Sequence, residues 1–439
     1  MRQRDHPPAA PAENNPPPAN GVRPAGLWHI LLRAATRGER NQRAVLIDAI
    51  GVGITAGVGS FLSVFLLRLG ASNFQVGLLT AMPALTGMLL AIPIGEFLSR
   101  RRFIVPWFAT SRFFVLSCYV LTGLVPFFFT NQAPWVIIAI WALATIPQTL
   151  VSVAFTVVMG TVAGPGGRMA LMSRRWAILG LTNSVTVLIV GQLLERYHFP
   201  LNYQIVFIGS AVGALVSFVF SSSIKLPPVE VPVLQQPLGE TLRHHGNRLR
   251  HNRRFVNFTI SQFVFRWGLA LAIPLFPIYW VRNLQATDQT VSLINSTTTF
   301  VTMIAYFVWA RVAQRRGSRW VLLISAFGVS WYPLLTAMTQ RADLLPLWAG
   351  MAGFFSAGIE LVFFDVLLST CPADQQAAYI GMYQTTVYMA AFLAPLLGTA
   401  LSGLIGIVPV LIAATVMRLL GFALIARLGV GKAVVEGAG

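Results

Sequence analysis

Six ionisable side chains fall inside stretches of sequence that are otherwise apolar, and these residues are the ones able to do chemistry. They are three acids and three arginines, namely Asp48, Glu360, Asp365, Arg112, Arg266 and Arg418. A charge in the hydrocarbon region of a membrane costs several kcal/mol unless it is paired or hydrated, so each one is a candidate for function. Carboxyl groups predict uptake and release of protons, and guanidinium groups predict binding of anions or pairing with the acids.

Two interpretations of these six residues stay open. In the functional one, Arg266 and Glu360 form a charge pair, because their predicted helices place both residues about 12–16 Å from the same end. Substrate and proton coupling would then rest on Glu360, Arg266, Asp365 and Asp48, with Arg112 and Arg418 as secondary buried charges. In the structural one, buried pairs such as Asp48 with Arg112 and Asp365 with Arg418 keep the helix bundle neutral.

Other kinds of chemistry find no support in the sequence. The six histidines lie in predicted tails or loops: His6, His29, His198, His244, His245 and His251. The two cysteines, Cys118 and Cys371, are far apart and give neither a disulfide framework nor a metal-ligand spacing. No phosphate-binding loop of the G-x-x-x-x-G-K-[ST] type is present. We therefore expect no metal, no cofactor and no enzymatic activity.

The elements that must position the six charges are membrane-spanning helices. The chain is 55% hydrophobic and only 10% charged, with a mean hydropathy of +0.68, and a soluble domain would be about a quarter charged. Each apolar run is near the ~20 residues that a helix needs to cross a bilayer. The predicted fold is an all-α membrane protein with twelve spans at 44–67, 73–98, 103–126, 134–162, 174–195, 202–222, 255–281, 288–310, 319–338, 344–370, 378–403 and 406–428.

The distribution of the basic residues predicts the orientation. Most of them, including Arg168, Arg174 and Arg175, fall on one side of the predicted spans, whereas Arg68, Arg196, Arg282 and Arg341 fall on the other. By the positive-inside rule, both termini lie in the cytoplasm and the protein is a multi-pass protein of the cytoplasmic membrane. The net charge of +18 follows from this placement, so we expect the lipid bilayer and no nucleic acid as a partner.

The predicted organisation has five parts. Residues 1–43 form a disordered cytoplasmic tail followed by an interfacial helix, and residues 44–222 form a six-helix bundle. Residues 223–254 are a proline-containing, basic cytoplasmic linker, residues 255–428 form a second six-helix bundle, and residues 429–439 are a cytoplasmic tail.

A sequence repeat relates the two bundles. Leu69 to Arg102 returns 215 positions later as Leu284 to Gly317. Both copies begin with a helix-capping hydroxyl residue, Ser72 or Thr287, and Ser72 with Gln75 also fits a capping box. Both copies end in a basic cluster on the same side of the membrane. The repeat predicts two pseudo-symmetric bundles related by an axis along the membrane normal.

The basic cluster resembles the short loop motif of the major facilitator superfamily, in which a glycine is followed by an acid, an arginine and further basic residues. The matching residues are Gly95, Arg100, Arg101 and Arg102 in the first copy and Arg315, Arg316, Gly317 and Arg319 in the second. Ser99 and Gln314 stand where the family has an acid. The resemblance implies that spans 1, 4, 7 and 10 line a central cavity.

These observations favour a secondary active transporter that moves a small molecule by alternating access and is coupled to protons. The alternative is a non-transporting membrane scaffold or assembly factor of the same fold. Span 4 has no arginine and span 5 has no Gly-Pro pair, so the motifs of drug/proton antiporters in the superfamily that the chain resembles are missing. The apolar cavity spans favour an amphipathic or modestly polar substrate, and we expect a monomer.

Overall fold

The protein folds as a bundle of long α-helices in the computed structural model, which describes residues 36–99, 101–129, 131–163, 168–228, 252–370 and 376–431. Twelve helical spans among these residues are long and apolar enough to cross a membrane, as predicted. The predicted N-terminal tail, most of the linker, and the C-terminal tail after Gly431 lie outside the described residues, as does Arg100.

The first six spans make up the N-terminal half. They are Arg37–Gly59 continued by Leu62–Arg68 (span 1), Asn73–Ser99 (span 2), Val105–Phe128 (span 3), Ala133–Ala163 (span 4), Arg168–Arg196 (span 5), and Leu201–Gly209 continued by Ala211–Ser222 (span 6).

The C-terminal half has the same plan. Its spans are Arg253–Ala272 continued by Leu275–Ile278 and a π turn at Tyr279–Asn283 (span 7), Asp288–Arg316 (span 8), Ser318–Ser330 continued by Tyr332–Met338 (span 9), Leu345–Thr370 preceded by a 3₁₀ turn at Ala342–Leu344 (span 10), Gln376–Ile405 (span 11), and Ile407–Arg427 (span 12).

Capping side chains set the starts of the repeated helices, as predicted from the sequence. The Gln75 backbone N–H donates to Ser72 Oγ at 3.2 Å, and the Ser72 N–H donates to Gln75 Oε1 at 2.7 Å, which completes the capping box. At span 8, Thr287 Oγ1 accepts from the Thr290 N–H at 3.2 Å. The two copies of the repeat therefore begin their helices by the same local interaction.

Span 1 begins earlier than predicted. Thr36 and Glu39 form a capping box that starts the helix at Arg37, so residues 37–43 continue directly into the span and are no separate interfacial helix. Span 5 also begins early, at Arg168. Arg175, which the sequence placed with the loop arginines, is consequently inside the bundle and only 3% exposed.

The two halves meet along spans 2 and 11 and along spans 5 and 8. Small residues allow the close approach of these helices. A Cβ at Gly77 would lie 2.3 Å from Thr399 Oγ1, and one at Gly191 would lie 2.4 Å from Ser292 Cβ. Hydrogen bonds reinforce the second contact, because Ser292 Oγ donates to the Val187 carbonyl at 2.7 Å. Each half otherwise packs mainly on itself, with span 1 on spans 5 and 6 and span 7 on spans 11 and 12.

Candidate functional site

Asp48 is the centre of a buried charge cluster in the N-terminal half. Its carboxylate accepts from Arg112 Nη1 at 2.7 and 2.5 Å, from Ser217 Oγ at 2.6 Å, and from Arg175 Nη2 at 3.5 Å. The three charged side chains are at most 7% exposed. The predicted Asp48–Arg112 pair is therefore formed, and the cluster joins spans 1, 3, 5 and 6.

This cluster holds two guanidinium groups against one carboxylate. Aromatic faces take up part of the excess positive charge, since Arg112 lies 4.4 Å from the Phe108 ring centre and Arg175 lies 4.6 Å from that of Phe155. The Nε atom of Arg175 has no hydrogen-bond partner among the described residues. Arg175 is thus the more weakly held of the two cations.

One of the two predicted pairs in the C-terminal half needs correction, whereas Asp365 with Arg418 stays a prediction because the Asp365 side chain lies outside the described part of the structure. Arg266 and Glu360 do not form an ion pair in the part of the chain that the structure describes; Arg266 Nη2 instead donates to Tyr383 Oη at 3.3 Å. Arg418 donates to the backbone carbonyls of Gly268, Val329 and Leu269 at 3.1, 3.1 and 3.5 Å. Equal depth in the membrane was an insufficient guide, because it leaves the rotation of each helix undetermined.

The side chain of Arg266 points away from span 12. Gly268 packs against Arg418 of span 12, and a residue two positions earlier lies on the opposite face of the helix. The guanidinium of Arg266 reaches Tyr383 on span 11 and lies 5.5 Å from the ring centre of Phe363 on span 10. Arg266 is partly buried, and its Nε has no partner among the described residues.

Glu360 makes a different contact, which the sequence did not predict. Its Oε2 accepts a short hydrogen bond from the hydroxyl of Tyr306 on span 8. Glu360 is exposed, and Tyr306 is 37% exposed. Asp365 lies further along span 10, but its side chain is outside the described part of the structure.

The rotation of span 8 tells which way Tyr306 faces. Ser292 and Ser296 of this helix bond to carbonyls of span 5, whereas Trp309 Nε1 donates to the Phe354 carbonyl of span 10. At 100° per residue, Tyr306 falls between these two contact faces, and the exposed Phe307 and Phe300 are turned about 100° and 120° away from it. Tyr306 and Glu360 therefore face the groove between the halves.

A second group of charges joins the halves at one end of the molecule, which we call the latch end and define by residues 69–72 and 284–287. Arg68 Nη2 donates to the Ala286 carbonyl and to Asp288 Oδ1, both at 3.2 Å. Tyr203 Oη donates to the same Asp288 oxygen at 2.7 Å. Arg68 and Asp288 are 34% and 11% exposed, so the pair is partly shielded from solvent.

The mirror contact is made by Arg282. Its guanidinium donates to the Ala71 carbonyl and to Asn73 Oδ1 in short hydrogen bonds, and Asn73 Nδ2 donates to Ser402 Oγ at 3.1 Å. Ala71 and Asn73 correspond to Ala286 and Asp288 at the repeat's own offset of 215 positions. In both halves, an arginine at the end of one span thus reaches into the equivalent loop of the other half.

The opposite end carries the loop motif and is called the basic end. Arg101 lies 4.4 Å from the Phe97 ring centre, Arg102 lies 5.8 Å from that of Phe103, and Arg316 lies 4.8 Å from that of Trp320. Arg319 Nη2 donates to the Ala426 carbonyl at 3.3 Å, and Arg315 is exposed. A Cβ at Gly95 would meet nothing within 4 Å, whereas Gly317 has a φ of +84° that lets span 9 follow span 8 directly.

Sequence comparison shows that the C-terminal half is similar to a known family. Residues 258–435 match the Major Facilitator Superfamily. The Staphyloferrin B transporter of Staphylococcus aureus (strain NCTC 8325 / PS 47) is 23% identical over 151 residues, which is 34% of this chain and 36% of the relative. Multidrug resistance protein MdtG of Serratia proteamaculans (strain 568) is 29% identical over 150 residues, or 33% of this chain and 36% of the relative. The matched part is thus about a third of each relative's length.

Solved structures match the fold over nearly the whole chain. The nucleoside transporter NupG superimposes with a TM-score of 0.69 at 15% identity, covering 88% of this chain and 99% of that one. The D-xylose-proton symporter gives a TM-score of 0.66 at 14% identity, covering 91% and 98%. The chain is thus similar to the Major Facilitator Superfamily in the sequence of its C-terminal half, and it shares its twelve-span fold with solved transporters.

Proposed function

We propose that this multi-pass membrane protein is a secondary transporter that moves a small molecule across the cytoplasmic membrane by alternating access. The observation that carries the proposal is the position of the contacts between the halves. The hydrogen bonds that we observe between them lie between the middle of the helices and the latch end, through Arg68, Arg282, Ser292 and Ser296. Glu360 and Tyr306 are nevertheless exposed, which indicates access from the basic end.

By the positive-inside rule the basic end is cytoplasmic, so the conformation is closed to the outside and open to the inside. The family and the relatives point to a transporter and not to an enzyme. Glu360 is the proposed proton site, because its carboxylate faces the groove and Asp48 is enclosed by two guanidinium groups and a hydroxyl. Arg266 with Tyr383, and Asp365, are the further candidates for substrate and coupling. An amphipathic or modestly polar substrate fits the apolar spans.

Accessibility labelling tests alternating access without a known substrate. The two native cysteines are first removed with Cys118→Ser and Cys371→Ser. Asn295→Cys then introduces a single cysteine on the same face of span 8 as Tyr306 but closer to the latch end. A membrane-impermeant maleimide should react with this cysteine from either side of the membrane, because each side has access in one of two states. Phe300→Cys, on the outward face, is the matched control. Reaction of Asn295→Cys from the basic end alone would favour the non-transporting scaffold.

The latch itself gives a further prediction. Removing both arginines with Arg68→Ala and Arg282→Ala should favour the state that is open at the latch end, because their hydrogen bonds join the two halves in the closed one. Each partly exposed contact is worth about 1 kcal/mol, so each change should raise the labelling rate of Asn295→Cys from the latch side about fivefold. Arg341→Ala is the control, since the Arg341 side chain bonds Asp343 on the surface and no other described side chain. An equal increase with that control would contradict a specific latch.

A further inference from the structure

A cleft on the side of the N-terminal half, away from the groove between the halves, has the composition of a ligand site. It lies at the basic end between spans 3, 4 and 6, next to the start of span 1, and has a volume of about 480 Å³. Its deeper wall is apolar and includes Ala109, Val157 and Phe218, and three hydroxyl residues line it as well: Thr110, Thr161 and Ser222. Arg37 and Lys225 also line the cleft.

The two cations are held next to each other by a buried amide. Asn41 is 9% exposed; its Nδ2 donates to the Lys225 carbonyl at 2.9 Å, and its Oδ1 accepts from the Lys225 N–H at 3.0 Å. Asn41 lies one turn after Arg37 on the same helix, so these bonds fix the segment that carries Lys225 beside the segment that carries Arg37. Arg37 and Lys225 are exposed and form no ion pair with an acid in the described residues. The nearest acid in sequence, Glu39, accepts from the Thr36 N–H in the capping box.

The cleft lies at the depth where the headgroup region of the bilayer meets the acyl chains. Thr110 lies ~8 Å along span 3 from its start, and Val157 lies ~9 Å from the end of span 4. The polar region of one leaflet is about 5–8 Å thick. The cations thus lie at the level of lipid headgroups, and the apolar wall lies where acyl chains begin.

We propose that this cleft binds an anionic phospholipid, with the phosphate between Arg37 and Lys225 and the start of an acyl chain along Val157 and Phe218. Positive charge at the mouth and an apolar floor together match a charged headgroup joined to a hydrocarbon chain. Phe103 also lines this cleft, and the Arg102 guanidinium lies over its ring. Arg102 therefore adds a third cation near the cleft.

Binding to the purified full-length protein in detergent tests this proposal. The probes are fluorescent phosphatidylglycerol, phosphatidylcholine with the same acyl chains, and inorganic phosphate as a competitor. Each cation near an anionic headgroup contributes about fivefold in affinity, so Arg37→Gln with Lys225→Gln should weaken phosphatidylglycerol binding about 25-fold. The matched control is Arg311→Gln with Arg427→Gln, which removes the same charge from the basic end of the other half and should change the affinity less than threefold.

A second variant distinguishes the contribution of the cleft's shape to binding from that of its positive charge. Thr161→Trp fills the cleft and leaves both cations, and it should also weaken binding of phosphatidylglycerol at least tenfold. Equal affinities in the two glutamine double variants would overturn the proposal, since the basic end would then act as a diffuse charged surface. Equal binding of phosphatidylcholine, or full competition by millimolar phosphate, would also overturn it, because the first needs no anion and the second needs no lipid.

Discussion

Glu360→Gln should abolish accumulation of substrate driven by a proton gradient and leave exchange of substrate across the membrane intact. Exchange requires only that the loaded protein reorients, whereas accumulation requires a group that binds and releases a proton in each cycle. An amide keeps the size and the hydrogen-bonding capacity of the side chain but cannot titrate. The expected loss is complete, which makes this the largest functional effect that we predict.

The measurement needs a substrate, which a thermal-shift screen of metabolites and drugs can supply. A ligand at ~100 times its dissociation constant adds ~2.7 kcal/mol to the free energy of unfolding. Uptake of the strongest hit into proteoliposomes is then followed with and without an inward-directed acid gradient, and exchange is followed with equal substrate on both sides. Asp343→Asn is the matched control, because it makes the same change on an exposed loop residue.

Tyr306→Phe refines the test. It removes the hydroxyl that donates to Glu360 and leaves the carboxyl in place. A hydrogen bond to a charged group is worth about 1.5–3 kcal/mol, so accumulation should fall about tenfold or more but persist. If Glu360→Gln still accumulates substrate in response to the gradient, Glu360 is not the proton site and Asp365 becomes the leading candidate.

The sequence predicted the charged residues of the membrane interior better than it predicted their partners. An isolated charge in an apolar run is visible in one dimension, and this was enough for Asp48 and Arg112. The partner of Glu360 was not visible, because Tyr306 is 54 positions away and reaches it only through the relative rotation of spans 8 and 10. Arg175 was missed for a different reason, since span 5 begins two turns earlier than its apolar run suggests.

The latch illustrates the same limit. Arg68 and Arg282 lie at span ends, where an arginine is usually hydrated, and nothing local distinguishes them from Arg196 or Arg341. The signal that could have identified them is the repeat, which aligns Asn73 with Asp288 and places an arginine just before each loop. Repeat symmetry predicts that whatever one arginine does in one half, its counterpart does in the other. The loop residues that they contact correspond at the repeat's offset.

The largest effect on stability should come from Asp48. Replacing it with alanine leaves Arg112 and Arg175 buried together without a carboxylate, and removing one partner of a buried ion pair costs about 3–5 kcal/mol. The loss is distributed over spans 1, 3, 5 and 6, which the carboxylate joins through Arg112, Arg175 and Ser217. We expect a matching decrease in the free energy of unfolding of the purified protein, measured by chemical denaturation in detergent.

The two arginines of the cluster provide an internal comparison. Arg112→Met removes the cation that makes the 2.5 Å contact and leaves only the more distant Arg175, so it should cost most of what Asp48→Ala costs. Arg175→Met removes the excess cation and its unpaired Nε, and leaves a neutral Asp48–Arg112 pair with Ser217. That change should be nearly neutral or stabilising, because an apolar side chain of similar length replaces a buried charge that lacks a partner of its own. If Arg175→Met instead destabilises the protein as much as Arg112→Met, the carboxylate is shared equally between the two arginines, and the cluster is a single three-membered unit in place of a pair with an additional cation.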